Sequence, residues 1–286
     1  MSAATENAKS HTVVDESARA VFLDVDGTYA DHGVVPDGHV RAVRAARAAG
    51  HKVLLCTGRP LSMLDDEILG AGFDGVVASA GAHVKIGGEV LLDRRFPAGL
   101  AARTVEVLDV HDAVYILEAQ EALHAPPAAM ERLREIIEEH FRHSPTGAAA
   151  ILGALRPAAD LAAVPFAKVS VFASPVPMSR LLAEIGEGVA VVENSIAAEG
   201  RHSGELYLHG ISKADGLAAA IEHLNIPREH SIAVGDGEND LEMVAYAGIG
   251  VAIEGSSPQL TALADRTAAP PREEGLVAAF AELGLS

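Results

Sequence analysis

Residues 22–28 read Phe-Leu-Asp-Val-Asp-Gly-Thr, and this stretch decides the fold of the chain. An apolar run that starts at Ala20 leads into it and ends in acid, which is typical of a strand buried on both faces of a parallel sheet. Asp24 and Asp26 are two residues apart, so their side chains project to the same side and can share one ligand. In open α/β sheets, binding sites form beyond the carboxyl ends of the strands, where this pair is expected. The alternative to a ligand site is an ordinary acidic turn, for which Asp26-Gly27 is a typical dipeptide.

Strands and helices alternate outward from this stretch. A helix is predicted over residues 36–49, with Asp37 as its N-cap and Gly50 as its stop, because apolar residues recur there at helical spacing. Helices of roughly 10 to 15 residues between short apolar strands indicate βαβ units, and hence an α/β fold with a Rossmann-like, doubly wound parallel sheet. Further strands are predicted at 52–56, 75–78, 231–234 and 250–253, and further helices at 60–71, 213–224, 238–246 and 257–264.

The two halves of this pattern are separated by a stretch long enough to be a domain. Residues 85–205 are expected to form an inserted α/β cap, and residues 18–84 plus 206–286 the core domain. Inside the insertion, strands are predicted at 114–118 and 168–173, and helices at 130–143 and 177–185.

Composition limits the possible functions. The chain has 286 residues, 49% of them apolar, enough for about two domains without disulfides. Lys plus Arg number 22 against 40 Asp plus Glu, so the net charge of −18 argues against nucleic acid or an anionic membrane surface as a partner. The single cysteine, Cys56, is expected in a core and favours a reducing cytoplasm. No apolar stretch has the length of a transmembrane span, and residues 1–17 are expected to be a flexible tail without a signal peptide.

Acidic residues recur after another predicted strand, where residues 235–240 read Gly-Asp-Gly-Glu-Asn-Asp. Hard oxygen ligands of this kind suit Mg²⁺, which takes one or two carboxylates and binds substrate phosphate. A Ca²⁺-binding EF-hand is excluded, because the sixth residue counted from Asp236 is Leu241 instead of Gly and the twelfth is Ala247 instead of Glu. Helix capping would explain Asp236 or Asp240 singly but hardly the whole loop.

Two further segments complete a possible phosphate site. Residues 57–60, Thr-Gly-Arg-Pro, place a hydroxyl and a helix N-terminus after a predicted strand, where backbone N–H groups favour an anion. Taken alone, Thr57 is more often a turn or cap residue. Lys213 stands at a predicted helix start, where the helix dipole disfavours a cation, and an anionic ligand would explain that placement. A solvated lysine is the alternative for Lys213 on its own.

Taken in order, these motifs resemble those of the haloacid dehalogenase-like superfamily. They are residues 24–28, residues 57–59, Lys213 and residues 235–240. The long insertion before Lys213 and the sequence around it look like the Cof-type (subfamily IIB) branch. The resemblance implies a Rossmann-like core with an α/β cap, and an enzyme that hydrolyses phosphate monoesters.

The resemblance also implies roles for individual residues. Asp24 would be the nucleophile that forms an aspartyl-phosphate, and Asp26 the general acid and base. Mg²⁺ would be held by the Asp24 carboxylate, the Asp26 main-chain carbonyl and Asp236. Asp240 would orient the groups that hold the metal and Lys213. The residues expected to bind phosphate or substrate are Gly27, Thr57, Gly58, Arg59, Lys213 and Asn239, of which Thr57 and Lys213 would also take part in catalysis.

The expected function is a Mg²⁺-dependent phosphatase that acts on a small phosphorylated metabolite such as a sugar phosphate. A phosphomutase of the same fold and a non-catalytic phospho-ligand sensor are the alternatives, although the presence of Asp24 and Asp26 argues against a sensor. A dinucleotide-binding enzyme would need Gly-x-Gly-x-x-Gly after the first strand, where this chain has Asp-Gly-Thr. The sequence leaves the oligomeric state open.

Contacts to the leaving group are harder to predict. Tyr29 and Arg59 are the residues near the first two motifs that are expected to touch substrate. Residues 79–82 and 253–255 depart from the Cof-type pattern and are expected near the junction of core and cap. Scattered histidines without metal-ligand spacing could also contact a phosphorylated ligand, namely His111, His124, His140, His143 and His202.

Overall fold

The computed structural model describes residues 17–142, 145–194 and 201–286, whose strands form two sheets. Residues 1–16 of the tail expected over residues 1–17 lie outside the described residues, as does His143. The strands are β1 (Ala20–Leu23), β2 (Lys52–Cys56), β3 (Gly75–Ala78), β4 (His83–Ile86), β5 (Glu89–Asp93), β6 (Val114–Glu118), β7 (Leu123–Ala125), β8 (Leu155–Pro157), β9 (Lys168–Ser174), β10 (Val189–Asn194), β11 (His202–Leu208), β12 (Ser231–Gly235), β13 (Ile249–Ile253) and β14 (Arg266–Ala268).

Helices cover both sheets. They are α1 (Asp37–Ala48), α2 (Asp66–Leu69), α3 (Ala98–Val110), α4 (Met130–His140), α5 (Pro145–Ala154), α6 (Met178–Ile185), α7 (Lys213–Leu224), α8 (Leu241–Tyr246), α9 (Pro258–Leu263) and α10 (Gly275–Glu282). The longest described helix has 13 residues, and no helix in the described part of the chain could span a membrane.

The first sheet has the strand order β14-β13-β12-β1-β2-β3-β4-β5. β1 lies in the middle and pairs in parallel with β12 and β2. At one edge of the sheet, β4 pairs antiparallel with β3, and β5 pairs antiparallel with β4. Side chains of β1 alternate between two apolar cores: Val21 and Leu23 share one with α1 and α10, and Ala20 and Phe22 share the other with α7 and α8. Because helices cover both faces, every residue of β1 is buried, and the expected doubly wound α/β core is confirmed.

The second sheet, formed within the insertion, has the order β10-β11-β9-β6-β7-β8. One face packs against α3 and α6 through side chains such as Tyr115 and Leu117. On the opposite face, Ile116 and Phe172 pack with α4 and α5. The period of two along β6 therefore divides its side chains between two surroundings.

Sheet membership bears on where the two domains meet. β5 belongs to the first sheet although it follows residue 84, and β11 of the second sheet continues beyond residue 205. We propose that the connections between core and cap lie at residues 94–97 and 209–212.

Some local predictions were wrong. The helix expected over residues 60–71 is broken into a 3₁₀ turn, Leu61–Met63, and the short α2, because Leu64 is extended and Asp65 starts a new helix by accepting from the amide of Ile68 at 3.0 Å. Asp37 is the first residue of α1 instead of its N-cap, a position that Pro36 takes.

Gln120 joins the cap to two segments of the core. Its Oε1 accepts from the amide of Leu61 at 3.0 Å, and its Nε2 donates to Oγ of Ser79 at 2.9 Å. Ser62 donates to the carbonyl of Ala119 at 3.0 Å. Ser79 therefore lies at the junction, as expected for residues 79–82. Glu254 donates its amide to the carbonyl of Ala268 in the first sheet, and the placement of residues 253–255 near the junction stays a prediction.

Gly81 provides a test of this packing. It has a φ of 101°, and a Cβ added to it would lie 1.9 Å from the carbonyl oxygen of Ser212. We expect Gly81→Ala to lower the free energy of unfolding by roughly 2–4 kcal/mol, because a strained φ and an overpacked contact combine. Chemical denaturation measures this, with Gly88→Ala as the control because no atom lies within 4 Å of its added Cβ. Equal stability of the two variants would contradict the prediction.

Candidate active site

Asp24 is the first residue beyond the central strand β1. Its amide donates to the carbonyl of Val234 at 3.0 Å, which continues the pairing with β12, and the residue is only 6% exposed. The chain then turns sharply, as the amides of Tyr29 and Ala30 donate back to the carbonyl of Val25. The turn holds the Asp24 carboxylate at the carboxyl end of the sheet.

Lys213 lies between two buried carboxylates. Its Nζ donates to Oδ1 of Asp24 at 2.7 Å and to Oδ1 of Asp240 at 2.6 Å. Both Lys213 and Asp240 are completely buried. Burial lowers the pKa of Lys213, but the two carboxylates outweigh it and raise that pKa, so the amine is held in its charged form.

Asp236 and Asp240 organise the loop that follows β12. Oδ2 of Asp240 accepts from the amides of Asp236 and Gly237 at 3.0 and 2.9 Å. Oδ1 of Asp236 accepts from the hydroxyl of Thr28 at 2.9 Å. A Cβ added to Gly27, whose φ is 81°, would lie 2.3 Å from Oδ2 of Asp236. A glycine is therefore required where the first turn passes this carboxylate.

Arg59 holds the carboxylate of Asp26 in a bidentate ion pair. Its Nε and Nη2 donate to the two oxygens of Asp26 at 2.8 and 2.5 Å, and its Nη1 donates to the carbonyl of Met63. Thr57 accepts from the amide of Arg59 through its Oγ1 at 3.1 Å, which leaves its hydroxyl hydrogen available. The sequence motifs predict Arg59 at the phosphate, and they do not predict its ion pair with Asp26.

Acidic groups outnumber cations at the site. Asp24, Asp26, Asp236 and Asp240 carry four formal negative charges, and Arg59 and Lys213 carry two positive ones, so the sum is −2. Burial raises the pKa of Asp24 to about 7, although Lys213 opposes this shift. Burial also raises the pKa of Asp236, against the hydrogen bond from Thr28. A divalent cation would remove the excess negative charge.

The oxygens that accept no hydrogen bond from the protein are the ones that could hold such a cation. Carboxylate oxygens of Asp24, Asp236 and Asp240 lie within 4.8 Å of one another. Asp240 has both oxygens engaged by protein donors, whereas the hydrogen bonds described above use only Oδ1 of Asp24 and Oδ1 of Asp236. The backbone hydrogen bonds of the turn after β1 do not use the carbonyl of Asp26. The donor set therefore fits Mg²⁺, with Asp240 supporting the site from behind.

A cavity of about 360 Å³ opens above these groups, between the two sheets. The predicted site residues that line it are Asp24, Asp26, Thr57, Gly58, Arg59, Asp236 and Asn239. Lys213 and Asp240 lie buried beneath it, and Gly27 lies against Asp236. The structure thus brings the four sequence motifs together at one end of the core sheet.

Other expected substrate contacts are absent from this cavity. Tyr29 is completely buried, with its ring 5.3 Å from that of Phe73, so the prediction that it touches substrate was wrong. The turn after β1 directs it into the core instead. Of the histidines, His111 pairs with Glu184 at 2.8 Å, and none of the four within the described residues lines the cavity.

Four polar residues of the cap face this cavity and are not among the predicted site residues. They are Glu118, Lys168, Ser170 and Glu205, on three neighbouring strands of the second sheet. The signal that could have found them is a polar side chain in an otherwise apolar strand, such as Glu118 at the end of Val-Tyr-Ile-Leu-Glu. Their proximity depends on the pairing register, which no local pattern gives.

Comparisons with known proteins agree with this geometry. The model of the haloacid dehalogenase-like hydrolase family matches residues 21–280. The chain is 26% identical over 277 residues to the Bacillus subtilis (strain 168) protein named "Putative phosphatase YkrA", covering 94% of this chain and 98% of that protein.

Solved structures share the whole architecture. BT1666 from Bacteroides thetaiotaomicron, described among phosphatases of the superfamily, matches with a TM-score of 0.75 and 22% identity, over 99% of this chain and 100% of that chain. The HAD subclass IIB sugar phosphatase BT4131 matches with a TM-score of 0.76 and 22% identity, over 94% and 100%. At such identities the likeness establishes the fold.

Removing the buried cation tests the electrostatics of the site. We expect Lys213→Met to lower the free energy of unfolding by about 3 kcal/mol or more at pH 8, because two buried carboxylates lose their partner. Without Lys213, burial keeps the pKa of Asp24 above its value in the unfolded chain, so the folded state binds more protons and the deficit shrinks as the pH falls to 5. Denaturation in EDTA measures this, with Lys85→Met as the matched control. A deficit independent of pH would contradict the electrostatic cause.

Proposed function

Because the chain belongs to the haloacid dehalogenase-like hydrolases, we propose that it is a Mg²⁺-dependent phosphatase that hydrolyses a small-molecule phosphate monoester through an aspartyl-phosphate. The family expected from the four motifs is thereby confirmed. The observation that carries the proposal is the buried chain Asp24–Lys213–Asp240 beneath a cavity, which holds a carboxylate oxygen toward the cavity from below. The names of YkrA and BT4131 refer to a phosphatase and a sugar phosphatase, which supports the same class of reaction.

Asp24 is the proposed nucleophile. Its Oδ1 is held by Lys213, so Oδ2 is the oxygen that attacks phosphorus in line with the ester bond. A bond forms between Oδ2 and phosphorus while the bond between phosphorus and the leaving oxygen breaks. Lys213 offsets the negative charge that Asp24 and the phosphoryl group would otherwise bring together.

Asp26 is the proposed acid and base. It lies on the same side of the strand end as Asp24, is more than half exposed, and lines the cavity, so it can reach a leaving group there. It gives a proton to the leaving alkoxide and then takes one from the water that attacks the phosphorus of the aspartyl-phosphate. That second step releases inorganic phosphate and restores the Asp24 carboxylate. Arg59 holds the Asp26 carboxylate at the cavity through its bidentate contact, and one oxygen of Asp26 leaves that contact when it carries the proton.

The remaining residues are proposed to bind the phosphoryl oxygens and the metal. Thr57 has a free hydroxyl hydrogen to donate, and Asn239 lines the same part of the cavity. Asp24, Asp236 and the carbonyl of Asp26 are the proposed ligands of Mg²⁺. When bound, the metal would neutralise charge on the transferring phosphoryl group.

Phosphate release from p-nitrophenyl phosphate and a panel of metabolite phosphates tests the reaction. We expect release to require Mg²⁺ and to stop in EDTA, because the site carries an excess charge of −2 without the metal. Asp24→Asn should lower kcat on the order of a thousandfold or more, since an amide is a poor nucleophile. Asp66→Asn, at the exposed start of α2, is the matched control. Release by Asp24→Asn at the rate of the unmodified protein would overturn the proposal.

The covalent intermediate has a test of its own. In Asp26→Asn, we expect ³²P from labelled p-nitrophenyl phosphate to accumulate on the protein, because the good leaving group needs no acid but the water still needs a base. An acyl phosphate survives an acid quench and is released by hydroxylamine. The double variant Asp24→Asn, Asp26→Asn should retain no label. Labelling that persists in the double variant would place the intermediate on another residue, and label passed to a sugar hydroxyl would indicate a phosphomutase.

A further inference from the structure

The cap wall of the active-site cavity carries a compact charged cluster. Glu118, Lys168, Ser170 and Glu205, hereafter the cap cluster, lie on β6, β9 and β11. Glu118 pairs directly with Lys168 in the β-ladder, and Glu205 pairs with Ser170. Nζ of Lys168 lies 3.3 Å from Oε2 of Glu118 and 3.1 Å from Oε2 of Glu205. The hydroxyl of Ser170 donates to Oε1 of Glu118 at 2.5 Å.

Packing alone gives no reason for charge at this place. Glu118 and Lys168 are 5% and 7% exposed, and a buried ion pair is often no more stable than apolar side chains of the same volume. Ile116 is two residues before Glu118 on β6, and Phe172 is two residues after Ser170 on β9, so both lie on the same face of the sheet as the cluster. Both are packed among apolar residues of α4 and α5, which shows that apolar side chains fit on this face. The cap cluster is also the whole polar content of the cap wall within the described residues, since the other cap residues at the cavity are apolar or glycine.

The cap cluster has more hydrogen-bond acceptors than donors. Its two carboxylates and one ammonium group sum to a charge of −1. Ser170 and Lys168 already direct donors to the carboxylates. Oε2 of Glu118 is buried against Lys168, whereas Glu205 is half exposed and lines the cavity, and among the described residues only its Oε2 has a partner, so its other oxygen can accept from a ligand. A ligand that completes this wall must donate hydrogen bonds and must not bring negative charge.

We infer that the cap cluster binds the leaving group of the substrate, and that this group is a polyol or an amino polyol without a second phosphate or a carboxylate. This inference rests on the proposed phosphatase reaction, in which the phosphoryl group occupies the core end of the same cavity. Hydroxyl or ammonium hydrogens would reach the carboxylate oxygen of Glu205 that Lys168 does not engage. A carboxylate or second phosphate at that position would face two carboxylates that Lys168 only half neutralises. The apolar side chains beside the cluster, Ile116 and Phe172, would contact the C–H groups of the leaving group.

Two matched pairs of substrates test this selectivity. Sorbitol 6-phosphate and 6-phosphogluconate differ only in having a CH₂OH group or a carboxylate at the far end, as do glycerol 3-phosphate and 3-phosphoglycerate at shorter reach. We expect kcat/KM for the polyol to exceed that for the acid by at least about tenfold in one pair. The ratio is taken within each protein, so a general loss of activity cancels. A ratio near one in both pairs would overturn the inference.

Variants of the cap cluster show whether these residues cause the selectivity. Glu205 is half exposed, so its substitutions leave the fold intact more readily than those of Glu118. We expect Glu205→Gln and Glu118→Gln to lower the ratio, and Glu205→Lys to lower it at least about tenfold by reversing the charge. Glu106→Gln and Glu106→Lys, exposed on the helix behind the second sheet, are the matched controls and should keep the ratio. A ratio unchanged in Glu205→Lys and Glu118→Gln would mean that the ion pairs serve only to join the strands.

Binding separates this inference from the reaction on which it rests. Release of p-nitrophenol from p-nitrophenyl phosphate reports the chemistry alone, because this compound has no hydroxyl group and no second anion. If no compound is hydrolysed, the proposed function fails, but calorimetry with the Asp24→Asn protein still measures affinity for both members of each pair. Tighter binding of the polyol that is lost on adding Glu205→Lys supports the role of the cap cluster. Equal affinities, or a preference that survives Glu205→Lys, would overturn it.

Discussion

The buried ammonium group of Lys213 is the interaction on which the rest of the site depends. A charge with no exposure to water is stable only when it is paired, and here Asp24 and Asp240 provide the partners at 2.7 and 2.6 Å. To bring them together, the central strand β1, the loop after β12 and the start of α7 must meet at one point. Gly81 allows this, because its lack of a side chain lets the chain after β3 pass against the carbonyl of Ser212. Packing and electrostatics thus fix the same geometry.

Local patterns were sufficient to predict most of the core. Strands 52–56, 75–78 and 114–118 and helix 213–224 have the predicted bounds, because an apolar run or a helical period is complete within each segment. The hairpin of β4 and β5 was not predicted. β5 is mostly exposed, so it lacks the continuous apolar pattern of the parallel strands. The helix over residues 60–71 failed because Asp65 caps a new turn inside an otherwise helical pattern.

The residues of the site also fall into two groups, those whose positions the sequence predicts and those whose contacts it does not predict. The four motifs lie next to strand ends or a helix start, so their positions follow from the topology once the strands are placed. The ion pair of Asp26 with Arg59 and the cap cluster are different, since each joins residues that are far apart in sequence. Glu118 meets Lys168, and Ser170 meets Glu205, only through the register of β9 with its two neighbours. Register is set by the whole sheet, so no single segment predicts these contacts.

Core and cap contribute different groups to the cavity. In the proposed reaction, the core groups would bind what all phosphate monoesters share, whereas the cap wall would contact what distinguishes one monoester from another. Gln120 lies two residues beyond Glu118 and bonds to both Leu61 and Ser79, so the strand that carries Glu118 is fastened directly to the core. A leaving group that binds the cap cluster would therefore be held in a fixed place relative to Asp24 and Asp26. Position relative to the nucleophile governs rate as well as affinity, so the cap cluster would affect kcat and not only KM.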